Sequence, residues 1–354
     1  MSAPLRVGVI GLGARCVIAE NCHKATIPAE LVGGCDPNPA MRQRATEVLG
    51  DYPWFETLDE LLELGIDCAI VTSPDDTHED ITCALLEAGV AVYLEKPIAI
   101  TIEGADRVLE TAYRTKTPLY VGHNMRHMAV VRILRQVVQD GLIGEVRAIW
   151  CRHFVGNGGD YYFKDWHADR SRTTGLLLQK AAHDIDVMNW LSDSVPERVV
   201  GMGDLMLYGK LTDRSGQKPD VVMSDWFSFD NWPPASLTGL NPVIDVEDVS
   251  MLMMRQTSGT LISYEQCHFT PDYWRNYTVI GTEGRAENFG DGEGGVVRVW
   301  KHRSGWEPTG DIEIPIKGDA GGHDDADVAT MDEFLRFVAK GDRTDTTPLG
   351  AREA

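Results

Sequence analysis

The stretch Arg6-Val7-Gly8-Val9-Ile10-Gly11-Leu12-Gly13-Ala14-Arg15-Cys16 decides the fold. A short apolar strand runs through two glycines into a helical pattern. Glycine at the first position permits a tight turn. Glycine at the second lets the backbone approach a pyrophosphate held at a helix N-terminus. The third glycine of the full pattern is replaced by Cys16, small enough for close helix–strand packing.

Outward from this turn, residues 5–121 alternate β-branched runs with amphipathic helical patterns, which is the signature of a parallel sheet covered on both faces. Strands are expected at Arg6–Ile10, Leu31–Cys35, Asp67–Thr72, Val90–Leu94 and Leu119–Val121, with a capping box at Thr57-Leu58-Asp59-Glu60. The second strand ends in Asp36, where a carboxylate accepts hydrogen bonds from the ribose hydroxyls of NAD. Pro37 and Asn38 follow, with no adjacent arginine to hold a 2′-phosphate, so NAD is expected in preference to NADP.

Beyond residue 123 the pattern changes to a helix (Ala129–Gln139), a strand (Glu145–Phe154), an aromatic polar loop and a helix (Ala181–Leu191). From 197 to about 316 the chain reads as strands with connections too short for crossover helices. A terminal helix is expected at Asp327–Lys340, after an acidic turn around Gly321-Gly322-His323-Asp324-Asp325. The expected fold is therefore an α/β Rossmann domain (1–123) followed by an α+β domain (124–354) with an open, mainly antiparallel sheet.

The formal net charge of −21 argues against nucleic acid and anionic membranes, which draw affinity from clustered Lys and Arg, and it favours a neutral substrate. Export signals and apolar runs of about 20 residues are not visible, so a cytoplasmic protein is expected. The 7 cysteines form no C-x-x-C pair, and reduced, buried thiols are expected.

Glu95-Lys96-Pro97 places a lysine at the C-terminal edge of the parallel sheet, where ligands of open α/β folds bind. Together with Gly11-Leu12-Gly13, the loop from Thr72-Ser73-Pro74 to His78, and Gly175-Leu-Leu-Leu-Gln-Lys-Ala-Ala-His183-Asp-Ile-Asp186, it makes the chain resemble the Gfo/Idh/MocA oxidoreductases over nearly its full length. The resemblance implies that Lys96 lies beside nicotinamide and substrate, that Lys96-Pro97 is cis, that His183 is an acid/base residue, and that the Ser73–His78 loop covers part of the cofactor. Gly11, Gly13, Ala14, Arg15, Asp36, Ser73, Pro74, His78, Glu95 and Lys96 are then the expected cofactor-binding residues.

An imidazole with an ordinary pKa near 6.5 can take a hydroxyl proton at neutral pH, and an ammonium can stabilise the developing alkoxide. Where the family often has an aspartate four residues before the histidine, this chain has Gln179, followed by Lys180 as a second cation. Asn124, Arg126, Tyr161, Trp166, His167, Gln179, Lys180 and His183 are the candidate substrate contacts, and no metal is required. Asp186, one turn after His183, reads as structural.

Three functions are open at this stage. One is an NAD-dependent dehydrogenase or reductase acting on CH–OH groups of a sugar, sugar acid or polyol. Another uses the same redox chemistry transiently to cleave a glycosidic bond. The third is a non-catalytic NAD-binding sensor, disfavoured because a binding module needs neither Lys96 nor His183. Alternate positions of Val249–Met254 and Leu261–Tyr264 are too apolar for long exposure, so a homodimer or homotetramer is expected.

Overall fold

The computed structural model describes residues 3–318 and 324–354. The expected turn around Gly321-Gly322-His323 lies outside the described residues. Asp324 and Asp325 belong to the terminal helix, which begins at Asp324 rather than Asp327.

Six parallel strands, β1 (Leu5–Ile10), β2 (Ala29–Cys35), β3 (Trp54–Phe55), β4 (Cys68–Val71), β5 (Ala91–Leu94) and β6 (Leu119–Val121), form a sheet in the order β3-β2-β1-β4-β5-β6. The two-residue β3 was not expected from sequence, since it is too short to show alternation. Its register is set by pairing Gly34 with Trp54 and Cys35 with Phe55. Thr57 and Glu60 form the expected capping box.

The segment after the glycine turn, Ala14–Lys24, winds as a 3₁₀ rather than an α-helix. At three residues per turn, positions i and i+3 eclipse, so Cys16, Ala19 and Cys22 form one buried row of small side chains close to the sheet. Helix Asp324–Lys340, expected with the second domain, inserts Met331, Phe334 and Leu335 into the core of the first beside Val7, Leu12 and Ile18. Ala351, from the short helix Pro348–Glu353, packs into the core on the sheet's other face.

The second sheet has eight strands in the order β14-β13-β12-β11-β7-β10-β9-β8, and its pairs are antiparallel except β7 with β10. Its strands are β7 (Val146–Val155), β8 (Pro196–Asp204), β9 (Val249–Gln256), β10 (Leu261–Cys267), β11 (Tyr273–Gly281), β12 (Arg285–Phe289), β13 (Val296–Trp300) and β14 (Ile312–Pro315). One face packs Ile149, Cys151, Tyr264 and Tyr277 against helices Ala129–Gln139 and Leu176–Ser192. The other leaves Trp150, Met202, Met251, Met253 and Leu261 exposed. All seven cysteines are free, and six of them are buried.

Candidate active site

Gly11 has φ +86°, and a Cβ there would lie 2.5 Å from the backbone of Ser73, so only glycine fits where the turn meets the β4 loop. A Cβ at Gly13 would meet nothing within 4 Å, leaving open space over the start of the 3₁₀ segment at Ala14. Asp36 accepts hydrogen bonds from the Leu12 and Asn38 amides, both at 2.8 Å, which anchors its carboxylate against the glycine turn. Ser73 Oγ accepts from Thr77 at 2.7 Å, as does the Pro74 carbonyl. An open cradle with an acidic side chain at the end of β2 fits a dinucleotide carrying a free ribose 2′-hydroxyl.

The β4 and β5 loops are stapled together by His78, whose ring nitrogens lie 2.7 Å from the Pro97 carbonyl and 2.9 Å from that of Ser73. Burial holds the His78 pKa below its ordinary value, and a neutral ring donates to only one of these carbonyls at a time. The Lys96-Pro97 bond is cis. Glu95 accepts from Arg15 at 2.5 and 3.0 Å and from the Lys96 amide at 3.2 Å. Burial alone would raise its pKa, but Arg15 and Lys96 outweigh that and hold it low.

Lys96 reaches across the domain junction and donates to the Gln179 carbonyl at 2.7 Å. Burial brings its pKa down to about 8, with Asp75 opposing and Lys180 adding to the shift. Asp75 is 4% exposed, and one of its carboxylate oxygens is buried without a hydrogen bond. Burial pushes its pKa up to about 8 against the pull of Lys96.

Helix Leu176–Ser192 carries Gln179, Lys180 and His183 within one turn, all buried where the helix end meets the first domain. The His183 ring meets that of His123 edge-on at 6.0 Å. Lys180 lies over the rings of Tyr162 at 5.2 Å and Tyr273 at 5.6 Å. His167 stacks on Trp166 at 3.8 Å and meets Tyr162 edge-on at 5.3 Å. Burial, then Lys96, Lys180 and Arg172, holds the His167 pKa well below its usual value.

The structure thus brings Lys96, Gln179, Lys180 and His183 together, with His167 within electrostatic reach of both lysines. Several other expected ligand contacts have their side chains committed to protein partners. Arg126 forms a bidentate ion pair with Asp186 at 2.5 and 2.7 Å and also donates to the Asp345 carbonyl, all within residues 124–354. Arg15, expected at the cofactor, is held between Glu95 and Asp327, and Asn124 donates to Asp327 at 2.7 Å. Tyr161 packs against Phe227 at 5.4 Å. Each of these partners is distant in the chain, which is why residue type and spacing did not reveal the pairing.

His153, His268 and Tyr273 were missed by the sequence reading. His153 and Tyr273 meet at 5.7 Å, and His268 meets Tyr162 at 5.5 Å. The available signal was the inward register of β7, where His153 follows the buried Ile149 and Cys151 at every second position. Behind them, Asp184 is fully buried, 3.1 Å from Arg275 Nε and 3.1 Å from His153 Nδ1. It also accepts from Tyr264 at 3.1 Å and from Tyr277. Burial opposes its ionisation, yet Arg275 and His153 hold its pKa well below the carboxylate range. Among the described residues, no group of three or more His, Cys, Asp or Glu side chains could hold a metal ion.

Comparison with known proteins places this geometry. Residues 5–123 match the oxidoreductase family with an NAD-binding Rossmann fold, and residues 131–287 match the GFO/IDH/MocA C-terminal domain. YteT of Bacillus subtilis (strain 168) is 27% identical over 299 residues, covering 73% of this chain and 70% of that protein. Inositol 2-dehydrogenase of Serratia proteamaculans (strain 568) is 30% identical over 197 residues, covering 53% of this chain and 55% of that one. The match therefore spans about half the length of that dehydrogenase. In fold, the chain is similar to a levoglucosan dehydrogenase solved with NADH and levoglucosan (TM-score 0.80; 17% identity; 99% of this chain and 94% of that one). The matched segments cover both domains and include the cradle, the Lys96 strand end and the His183 helix, and the chain belongs to the GFO/IDH/MocA family of NAD-binding oxidoreductases.

Proposed function

We propose that the protein transfers a hydride between NAD and a carbinol or ketone carbon of a sugar, sugar derivative or polyol. The observation that carries this reading is the Lys96–Gln179 hydrogen bond, which holds the lysine of the first domain one turn from His183 of the second. When bound, NAD supplies the hydride acceptor. Gly11 lets the turn close against Ser73, the open space at Gly13 would admit its pyrophosphate, Asp36 would accept from its ribose, and the Ser73-Pro74 loop borders the cradle. His183 takes the hydroxyl proton of the substrate. Lys96 stabilises the oxyanion that forms, an interaction stronger in the transition state than in the ground state. Gln179 and His167 supply neutral hydrogen-bonding groups to further hydroxyls. Tyr162, Trp166 and Tyr273 offer aromatic surface to a ring substrate.

The names of relatives support a polyol or sugar, since they include inositol 2-dehydrogenase and glucose-6-phosphate 3-dehydrogenase. The exposed apolar row Met202, Met251, Met253, Trp150 and Leu261 supports assembly of copies through the open face of the second sheet. The test is an absorbance assay for NADH against a panel of aldoses, sugar acids and inositols. NADH accumulating with substrate is the expected result. Sugar released from a glycoside without NADH would overturn net dehydrogenation in favour of transient redox cleavage.

A further inference from the structure

Lys180 differs from the other buried cations in having no carboxylate beside it. It is 7% exposed and makes no ion pair among the described residues. It donates to the Tyr273 hydroxyl at 3.5 Å and is flanked by the faces of Tyr162 and Tyr273. The other deeply buried basic residues are neutralised: Lys164 by Asp160 at 2.8 Å, Arg126 by Asp186 at 2.5 Å, and Arg275 by Asp184 at 3.1 Å.

The groups around Lys180 do not supply the missing charge. His153, His167 and His268 approach its two tyrosines, and all three are held neutral by burial with Lys180 adding to the effect. His153 Nε2, His167 Nδ1, His268 Nε2 and the Gln179 side-chain oxygen are buried without hydrogen bonds. Lys96 is a second ammonium within reach of Lys180; of the carboxyls acting on it, Asp75 is driven toward its neutral form by burial and Glu95 is paired with Arg15. In a chain of net charge −21, Lys180 is thus a buried positive charge with no carboxylate paired to it among the described residues.

A buried ammonium facing only rings and neutral imidazoles is left with most of its desolvation penalty. A substrate hydroxyl would offset little of that, whereas a carboxylate would pair with the charge while hydroxyls of the same substrate donate to His153 Nε2, His268 Nε2 and the Gln179 oxygen. We propose that Lys180, flanked by Tyr162 and Tyr273, binds the carboxylate of a sugar acid, and that the enzyme selects monoanionic over neutral carbohydrates. This rests on the dehydrogenase reading for its setting and narrows the substrate class. The overall negative charge favoured a neutral substrate at the sequence level. A substrate in the cleft responds to the nearby groups, because interactions beyond a Debye length of about 8 Å are screened. With Lys96 engaged at the Gln179 carbonyl, the one ammonium left unpaired matches a monoanionic carboxylate better than a dianionic phosphate.

The test compares D-glucuronate, D-galacturonate and D-gluconate with D-glucose, myo-inositol and D-glucose 6-phosphate. NADH formation and calorimetric binding to the NAD-loaded enzyme are both followed. At least one acid should exceed its neutral analogue in kcat/KM and affinity by about 30-fold or more, the range expected for a buried charge pair. Lys180→Met should lose that preference, weakening the acid far more than its neutral analogue, and Lys180→Arg should restore part of it. The wild-type panel decides the matter even if Lys180→Met does not fold. Equal use of acid and neutral sugars, no binding of any acid, equal losses for both classes in Lys180→Met, or tighter binding of D-glucose 6-phosphate would each overturn the proposal. If no compound yields NADH but an acid binds and Lys180→Met abolishes binding, the dehydrogenase reading fails while the carboxylate site stands.

Discussion

Lys96 Nζ donates to the Gln179 carbonyl at 2.7 Å, tying the end of a Rossmann strand to the helix that carries His183. Two groups suited to complementary roles in alkoxide chemistry are thereby held in one cleft. Lys96→Ala and His183→Ala should each lower kcat by roughly 10²-fold or more with NAD affinity nearly intact. The double variant should lose less than the product of the two, because both groups act in one transition state. Undiminished turnover in His183→Ala would remove it from the acid/base role and leave Lys180 as the next candidate.

Asp75 and Lys96 titrate in the same range, near 8, and Asp75 raises the Lys96 pKa while burial and Lys180 lower it. If the ammonium is the active form, kcat should fall as pH rises through this range, with an apparent pKa that belongs to the pair. Asp75→Asn removes the opposing carboxylate and should move the alkaline limb to lower pH. A pH–rate profile with an unmoved limb would separate Asp75 from Lys96.

Asp36 accepts from Leu12 and Asn38, and a 2′-phosphate would meet its charge directly. NAD should therefore bind more tightly than NADP, and Asp36→Ala should narrow the difference. Titration of both nucleotides by fluorescence checks this, and equal wild-type affinities would refute it.

His153 and His268 are each held to a pKa of about 3 by burial, against 6.5 for a free imidazole. Between these values the unfolded chain takes up protons that the native state refuses, so stability should fall as pH drops from about 6.5 toward 3. Asp184 acts in the same direction. Its depressed pKa contributes stability above the ordinary carboxylate range that is lost as pH falls through it. Tm measured from pH 7 to 4 should decline, and less steeply in His268→Gln. Removing Arg275 from Asp184 should cost about 3–5 kcal/mol at neutral pH, since it leaves a buried carboxylate uncompensated.

Met202 is 80% exposed and Met253 66%, on neighbouring strands of the open face. Sedimentation at micromolar concentration should show a dimer or tetramer, and Met253→Glu should dissociate it by placing a charge on that apolar surface. A wild-type monomer would show that the face is not covered by a second copy.

The sequence by itself determined what depends on neighbours along the chain. Strand–helix alternation, the Gly11-Leu12-Gly13 turn, Asp36 at a strand end, the Thr57 capping box and the position of Lys96 are all local. Periodicity and turn chemistry express them within a few residues. Tertiary structure decided which charged side chains were left for a ligand. Arg15 pairs with Asp327 across 312 residues and Arg126 with Asp186 across 60, so two arginines expected at ligands also hold buried carboxylates. It also carried helix Asp324–Lys340 back onto the first sheet and brought His153, His268 and Tyr273 around Lys180. Such pairings minimise the cost of burying charge in the assembled core, and that cost depends on neighbours in space that no window of sequence contains.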